Sequence, residues 1–395
     1  MTRISLGGGL LAAGAALAYC GAAQAQETGG SSKRFTVAAH ATAEYDSNLA
    51  GGDNQVAAIR NVTPEDVTYT AGVSAGFQLP SSRETFFING SADFNRHQRN
   101  HNLDSQNLAL AGGASAHAGP CVAGVVGSFS RAETAPVELL IAVTKNIAQN
   151  TTGTLSVTCT AGHFVTSVSA TGAKTTNDAP GLIDTSQRSI AASAGYGTET
   201  LGALSVTTHY SESSFSQPPI PGQPSPSPPK QYGVGLSYAR KIGLRLSGTA
   251  AVSFVQIDSA GQSSHGVDAN VALAYRISQR TGLSLTYARG VAASQTIDAI
   301  LQRTETLDLN GNYNLNRRIS LHATIEGGRT NFEGGIPSPL LVRENRYLSE
   351  TAGASLAIGR NIAVTLEAGH SSRTADLTQF NFSSNHVTLG ISSTF

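Results

Sequence analysis

From about position 35 the chain alternates. Val67, Tyr69, Ala71, Val73, Ala75, Phe77 and Leu79 share one face of an extended segment, and Thr68, Thr70, Gly72, Ser74, Gly76 and Gln78 share the other. Val267, Ala269, Val271, Leu273, Tyr275 and Ile277 alternate in the same way with Asp268, Asn270, Ala272, Ala274 and Arg276. Leu307, Leu309, Gly311, Tyr313 and Leu315 alternate with Asp308, Asn310, Asn312 and Asn314. A period of two marks strands with one apolar and one polar face. These runs reach ~10 residues, longer than the usual 5–6 of a soluble sandwich and right for crossing a bilayer as strands.

The strands come in a repeated plan. Leu236 to Leu244, Leu273 to Leu283, Tyr313 to Leu321 and Leu356 to Ile362 each read as a strand end, a tight basic turn and a new strand. Their spacing of about 40 residues suits two ~10-residue strands, one short turn and one longer loop. Strand starts are expected near Phe35, Asp66, Glu84, Asn107, Cys121, Gly153, Phe164, Arg188, Ala203, Tyr232, Leu244, Gly266, Leu283, Thr304, Ile319, Tyr347, Ile362 and Phe380. The fold class is therefore all-β: a single transmembrane antiparallel β-barrel of about 18 strands, with 16 as the alternative, an even number being the rule for such barrels. The stretch 132–150 is ambiguous, because Val137 to Val143 is continuously apolar. Seven prolines between Gln217 and Lys230 predict a stiff surface loop, since proline cannot serve an inner ladder.

The N-terminus reads as an address. A basic start at Arg3, an apolar run from Leu6 to Tyr19 and the small-x-small site Ala23-Gln24-Ala25 make a secretory signal peptide over 1–25. Cys20 suggests lipoprotein processing, but the bulky Tyr19 before it argues against that. Residues 26–34 form a short periplasmic segment and 35–395 the barrel. No later stretch reaches the ~18 apolar residues of a membrane helix. The expected location is the outer membrane of a Gram-negative cell. The C-terminal run Val387, Leu389, Ile391 and Phe395 shares one face and reads as a barrel-assembly signal, although Ser393 stands where a bulky residue is usual.

Composition sharpens this. Charged residues are 13% of the chain, and 26 basic residues balance 26 acidic ones. Soluble proteins carry about 25% charge, while lipid-facing positions exclude it. A neutral balance also excludes nucleic acid as a partner. The basic residues Lys33, Arg34, Arg83, Arg240, Lys241, Arg280, Arg317, Arg318 and Arg360 cluster at predicted periplasmic ends.

Alternation points His40, Glu44, Asp46, Asp93, Asn95, His209, Arg245, Asp268, Asn270, Arg276, Asp308, Asn310, Asn312, His322, Glu326 and Glu367 inward, as a pore lining. Amides, hydroxyls and carboxylates suit a neutral or weakly charged sugar chain; an anionic polymer would want rings of arginine and lysine. Tyr69, Tyr196, Tyr238, Tyr275, Tyr287 and Tyr313 are expected at the membrane interfaces. Cys121 and Cys159 fall at the same end of neighbouring strands, on one face, and predict a cross-strand disulfide. No cofactor, metal site or catalytic residue is expected. The nearest nucleophile arrangement, His209 with Ser211, lacks an orienting third group.

The run Tyr45-Asp46-Ser47-Asn48 at the end of the first strand, with the following hairpins and the terminal Phe395, resembles the beta-barrel porin 2 type of outer-membrane barrel, often linked to surface-polysaccharide export. The resemblance implies a conduit assisting export of an extracellular or capsular polysaccharide. Its partners would be outer-membrane lipid and lipopolysaccharide, the barrel-insertion machinery and polysaccharide-secretion components. A porin for small solutes and a structural or adhesive barrel are the alternatives.

Overall fold

The computed structural model describes residues 34–134, 145–179, 184–216, 228–259, 262–293, 301–333 and 342–395. The expected signal peptide 1–25, nearly all of the segment 26–34, the apolar run 137–143 and most of the proline-rich loop lie outside the described residues.

Among the described residues, eighteen antiparallel strands form one closed sheet. They are β1 (Arg34–Asp46), β2 (Asp66–Pro80), β3 (Glu84–His97), β4 (Ser105–Ala118), β5 (Cys121–Thr134), β6 (Asn146–Ala161), β7 (Phe164–Asn177), β8 (Asp184–Thr198) and β9 (Gly202–Ser216). Then follow β10 (Lys230–Ile242), β11 (Leu246–Ser259), β12 (Gln262–Arg276), β13 (Thr281–Ala293), β14 (Leu301–Asn314), β15 (Ile319–Glu333), β16 (Glu344–Ile358), β17 (Ile362–Ala375) and β18 (Phe382–Thr394). Each pairs with its chain neighbours, and β18 returns to β1 from Ala38↔Thr394 to Asp46↔His386. Closure leaves no open sheet edge at membrane depth, as a hydrocarbon surround demands. Against the sequence reading, β11 starts at Leu246 rather than Leu244, and β6 starts at Asn146, earlier than Gly153.

The period-two pattern decides which face meets lipid. Tyr45, Val73, Leu110, Leu155, Ile190, Leu236, Leu307, Ile325, Leu366 and Leu389 are large, apolar and exposed, all on the outer face. At ~3.3 Å per residue and a tilt near 40°, strands of this length rise about 33–40 Å, beyond the ~25 Å apolar band, so they project past the membrane.

The two ends differ. Short turns join β2 to β3, β4 to β5 and every later even strand to its successor, on the side where β1 starts and β18 ends. Gly119 and Gly162 take φ of 61° and 60° in two of these turns, a left-handed conformation that costs other residues energy. Arg83, Arg280, Arg317, Arg318 and Arg360 lie in these turns, and Tyr196, Tyr238, Tyr275 and Tyr313 face outward just above them, exposed. Short turns are the periplasmic side of such barrels and long loops the outer side. Cys121 and Cys159 stand directly opposite each other on β5 and β6 at the turn end and are bonded, S–S 2.06 Å.

At the loop end, a short helix α1 (Asn54–Arg60) is capped by Asp53, which accepts from the amides of Gln55 and Val56. Ala57 of this helix joins Ala50, Val62 and Leu103 in a small buried cluster. Asn100 ties the loop after β3 to the one before β2, donating to Thr63 O at 2.9 Å and to Asp66 Oδ2 at 2.8 Å. Asp104 closes the same loop. Burial acts to raise its carboxyl pKa, but the His97 amide and the Arg96 guanidinium outweigh it and hold it below the usual carboxylate range.

Candidate functional site: the lumen wall

Strand pairing carries each inward side chain into a row with its neighbours. One row runs Asn312, His322, Gly353, Glu367, Thr388, Glu44, Thr68 across β14 to β2. In it His322 Nε2 lies 2.8 Å from Glu367 Oε1, and Thr388 donates to Glu44 at 3.0 Å. His322 and Glu367 are two strands apart, and glycine between them makes the contact possible: a Cβ on Gly353 would sit 2.7 Å from both His322 Nε2 and Glu367 Cγ. The device recurs on β1 to β3, where His40 Nε2 approaches Asp93 Oδ1 at 3.3 Å above Gly72. A mid-strand glycine marking a close approach is the signal that would have found these pairs in the sequence.

Other carboxylates on this side find similar partners. Tyr347 donates to Glu326 at 2.9 Å, Asn310 to Asp308, and the amide of Val291 to Asp268 at 2.8 Å. Thr70 donates to Asn95 at 2.8 Å. Thr324 donates to Asn310 at 2.7 Å. Asn270 lies inward opposite Ala251 and Ala288.

The inward carboxylates of the described strands are Glu44, Asp46, Asp66, Asp93, Asp268, Asp308, Glu326 and Glu367, all on the arc from β12 round to β3. The arc from β4 to β11 has none. Its inner surface is small and hydroxylic: Ser167 meets Ser193 and Ser205 meets Ser237 at 2.7 Å each, and Thr154 meets Thr171 at 3.1 Å. His209 and Ser211 also face inward there, the His209 ring lying over Gly233. Inward lysines and arginines of the described strands lie only near the ends, Arg34, Lys241 and Arg276 at the turn end and Arg373 at the loop end. Arg373 is buried, donating to Asn345 at 2.9 Å under the ring of Phe380.

Arg245 is a correction. It sits in the exposed turn 243–245 and not in the lining, because β11 starts one residue later. A basic residue after Gly243 is turn chemistry, and alternation read one position too far into the turn assigned it a face.

The lumen is narrowed on one side. Pairing of β12 with β13 stops at Ala269↔Arg289, although both strands continue. Above that point β13 turns inward. Val291 O accepts from Gln231 of β10 at 3.5 Å, and the Val291 side chain fills the space over Gly266. Val255 and Ile257 point inward from β11 yet are 0% and 1% exposed, because Val291 and Leu301 cover them. Alternation cannot reveal this, since the strands keep their pattern while leaving the wall.

The Tyr45–Asn48 run lies at the seam. Tyr45 faces outward, while Asp46 accepts from the Asn48 amide at 2.7 Å and from Ser384 of β18. Ser47 accepts from the Asn385 amide at 2.8 Å, and Asn48 donates to Gly52 O at 3.1 Å. Val387, Leu389 and Ile391 line the lipid face of that seam, and the Phe395 amide donates to Val37 O at 2.8 Å. The motif is thus a clasp between first and last strands.

No family model matches the chain, and nothing beyond the sequence resemblance supports the beta-barrel porin 2 type. No curated protein sequence matches it either. Solved structures do share its shape. OccK2 (OpdF) of Pseudomonas aeruginosa aligns with TM-score 0.51 at 8% identity, over 92% of this chain and 97% of its own. The siderophore receptor PirA of Acinetobacter baumannii aligns with TM-score 0.51 at 8% identity, over 93% of this chain and 81% of its own. At such identities the likeness is one of fold: an outer-membrane-type β-barrel.

Proposed function

We propose that the protein is a passive channel in the outer membrane of a Gram-negative cell, conducting hydroxyl-rich neutral solutes and favouring cations over anions. The observation that carries this is the lining of the described strands: carboxylates on one arc, hydroxyls on the other, and inward lysine and arginine near the ends. Rings of Asp and Glu favour cations, as Arg and Lys rings favour anions. An 18-strand barrel is wide enough for an aqueous lumen. The hydroxylic arc supports carbohydrate as the neutral cargo, because sugar hydroxyls exchange hydrogen bonds with Ser and Thr at little cost. Export of a neutral surface polysaccharide is the specific form of this reading.

Planar-bilayer recording tests the channel. Stable conductance steps with maltodextrin-dependent block are expected, and a silent barrel would refute a channel of any kind. Deleting the gene tests export: reduced secreted polysaccharide is expected, and unchanged secretion would leave only the small-solute channel.

A further inference from the structure

The outer face carries its own pattern. On β13 to β16 the lipid-facing row Tyr287, Leu307, Gly327, Leu348 is followed, toward the loop end, by Arg289, Glu305, Arg329, Arg346. By strand rise and tilt this second row lies about 20–30 Å above the turn ends of its strands, at the upper edge of the apolar band. Arg329 and Arg346 stand directly opposite each other. Like charges facing across two strands are destabilising. One carboxylate serves both: Glu344 Oε1 lies 3.1 Å from Arg329 Nε and 2.6 Å from Arg346 Nε. Both arginines remain substantially exposed, at 44% and 62%. The matching row on the far wall, Arg188, Glu212, Lys230, Asp258, alternates in sign and has no such pair.

We propose that the Arg329–Arg346 pair is a docking site for the phosphorylated headgroup of an outer-leaflet glycolipid. This rests on the membrane reading above. Two guanidiniums held side by side present parallel donors that match phosphate oxygens. The apolar row directly beneath would receive acyl chains, so one molecule spans both rows. A free anion would gain only the upper row, whereas a lipid gains both.

The test measures binding of bis-phosphorylated and fully dephosphorylated lipid A to the full-length protein in detergent micelles, by native mass spectrometry. The phosphorylated form should bind preferentially. Arg329→Gln with Arg346→Gln should weaken it about fivefold per arginine, while Arg188→Gln with Lys230→Gln should not. Glu344→Gln removes the competing carboxylate and should tighten binding, which keeps the proposal testable if the double variant folds poorly. Equal binding of the two lipids would overturn the proposal. So would an unchanged double variant, a weakened Glu344→Gln, or displacement by inorganic phosphate at lipid-equivalent concentration. Bilayer conductance of the same variants, expected unchanged, separates this site from the channel itself.

Discussion

The two arcs of the wall solve one problem differently. Both must present polar groups to the lumen every second residue. From β4 to β11 they do so with Ser, Thr and small residues that bond to each other across adjacent strands, as Ser205 does to Ser237 at 2.7 Å. From β12 round to β3 they use carboxylates, and several contacts skip a strand. Glu367 reaches His322, and Asp93 reaches His40, only because Gly353 and Gly72 lie between them. A hydroxyl arc tolerates exchange, since each group is both donor and acceptor. The carboxylate arc depends on glycine, imidazole and phenol at fixed positions, and it also contains the clasp that closes the barrel.

The comparison is broken most directly by neutralising one arc. Glu44→Gln, Asp93→Asn and Glu367→Gln together remove three of the eight inward carboxylates and should clearly reduce cation preference in reversal-potential measurements. Ser167→Ala with Ser205→Ala on the other arc should leave it within error. Equal effects from the two sets would dissolve the distinction.

Next in size is the inward turn of β13, which sits where the arcs meet. Leu301 is 3% exposed against Val255 and Ile257. Leu301→Ala should cost about 2–5 kcal/mol of local packing and release the strand end. Single-channel conductance should rise; an unchanged value would mean that this end does not narrow the path.

Gly353→Leu is smaller and local. The new side chain would occupy the space where His322 meets Glu367. It should reduce cation preference without altering heat-modifiable migration on gels. Gly172→Leu, a mid-strand glycine of β7 on the outer face with open space around it, serves as the control for folding and should leave cation preference unchanged.

The smallest effect concerns the loop after β3. Asp104 is held below its usual pKa once folded. Its contribution is therefore present above the unfolded value of about 3.9 and is lost as pH falls through the lower folded value. Amide exchange in residues 98–104 should speed up only below about pH 4. Loosening between pH 5 and 7 would assign control to another group.

Much of this was legible in the sequence, for a physical reason. Lipid on one side and water on the other force a strict period of two, so the strand number and most inward positions could be read off residues such as Val67 to Leu79. Register was readable where turns were short and glycine-marked, which is why Cys121 and Cys159 could be set opposite each other. Three-dimensional departures were not readable. The inward turn at Val291 keeps its alternation, Arg245 continues the pattern past the strand end, and the Arg329–Arg346 pair needs cross-strand register that 13 to 16 residues of strand do not fix in isolation. The Tyr45–Asn48 run was conspicuous as a motif, but its work as a clasp with Ser384 and Asn385 depends on residues more than 330 positions away.

The central claim is the polarised lumen. Reversal potential of the reconstituted protein across a potassium chloride gradient tests it in one experiment. The account predicts a potential of the sign set by potassium, markedly smaller in the Glu44, Asp93, Glu367 triple variant. A potential set by chloride, or one that the triple variant leaves untouched, would contradict it.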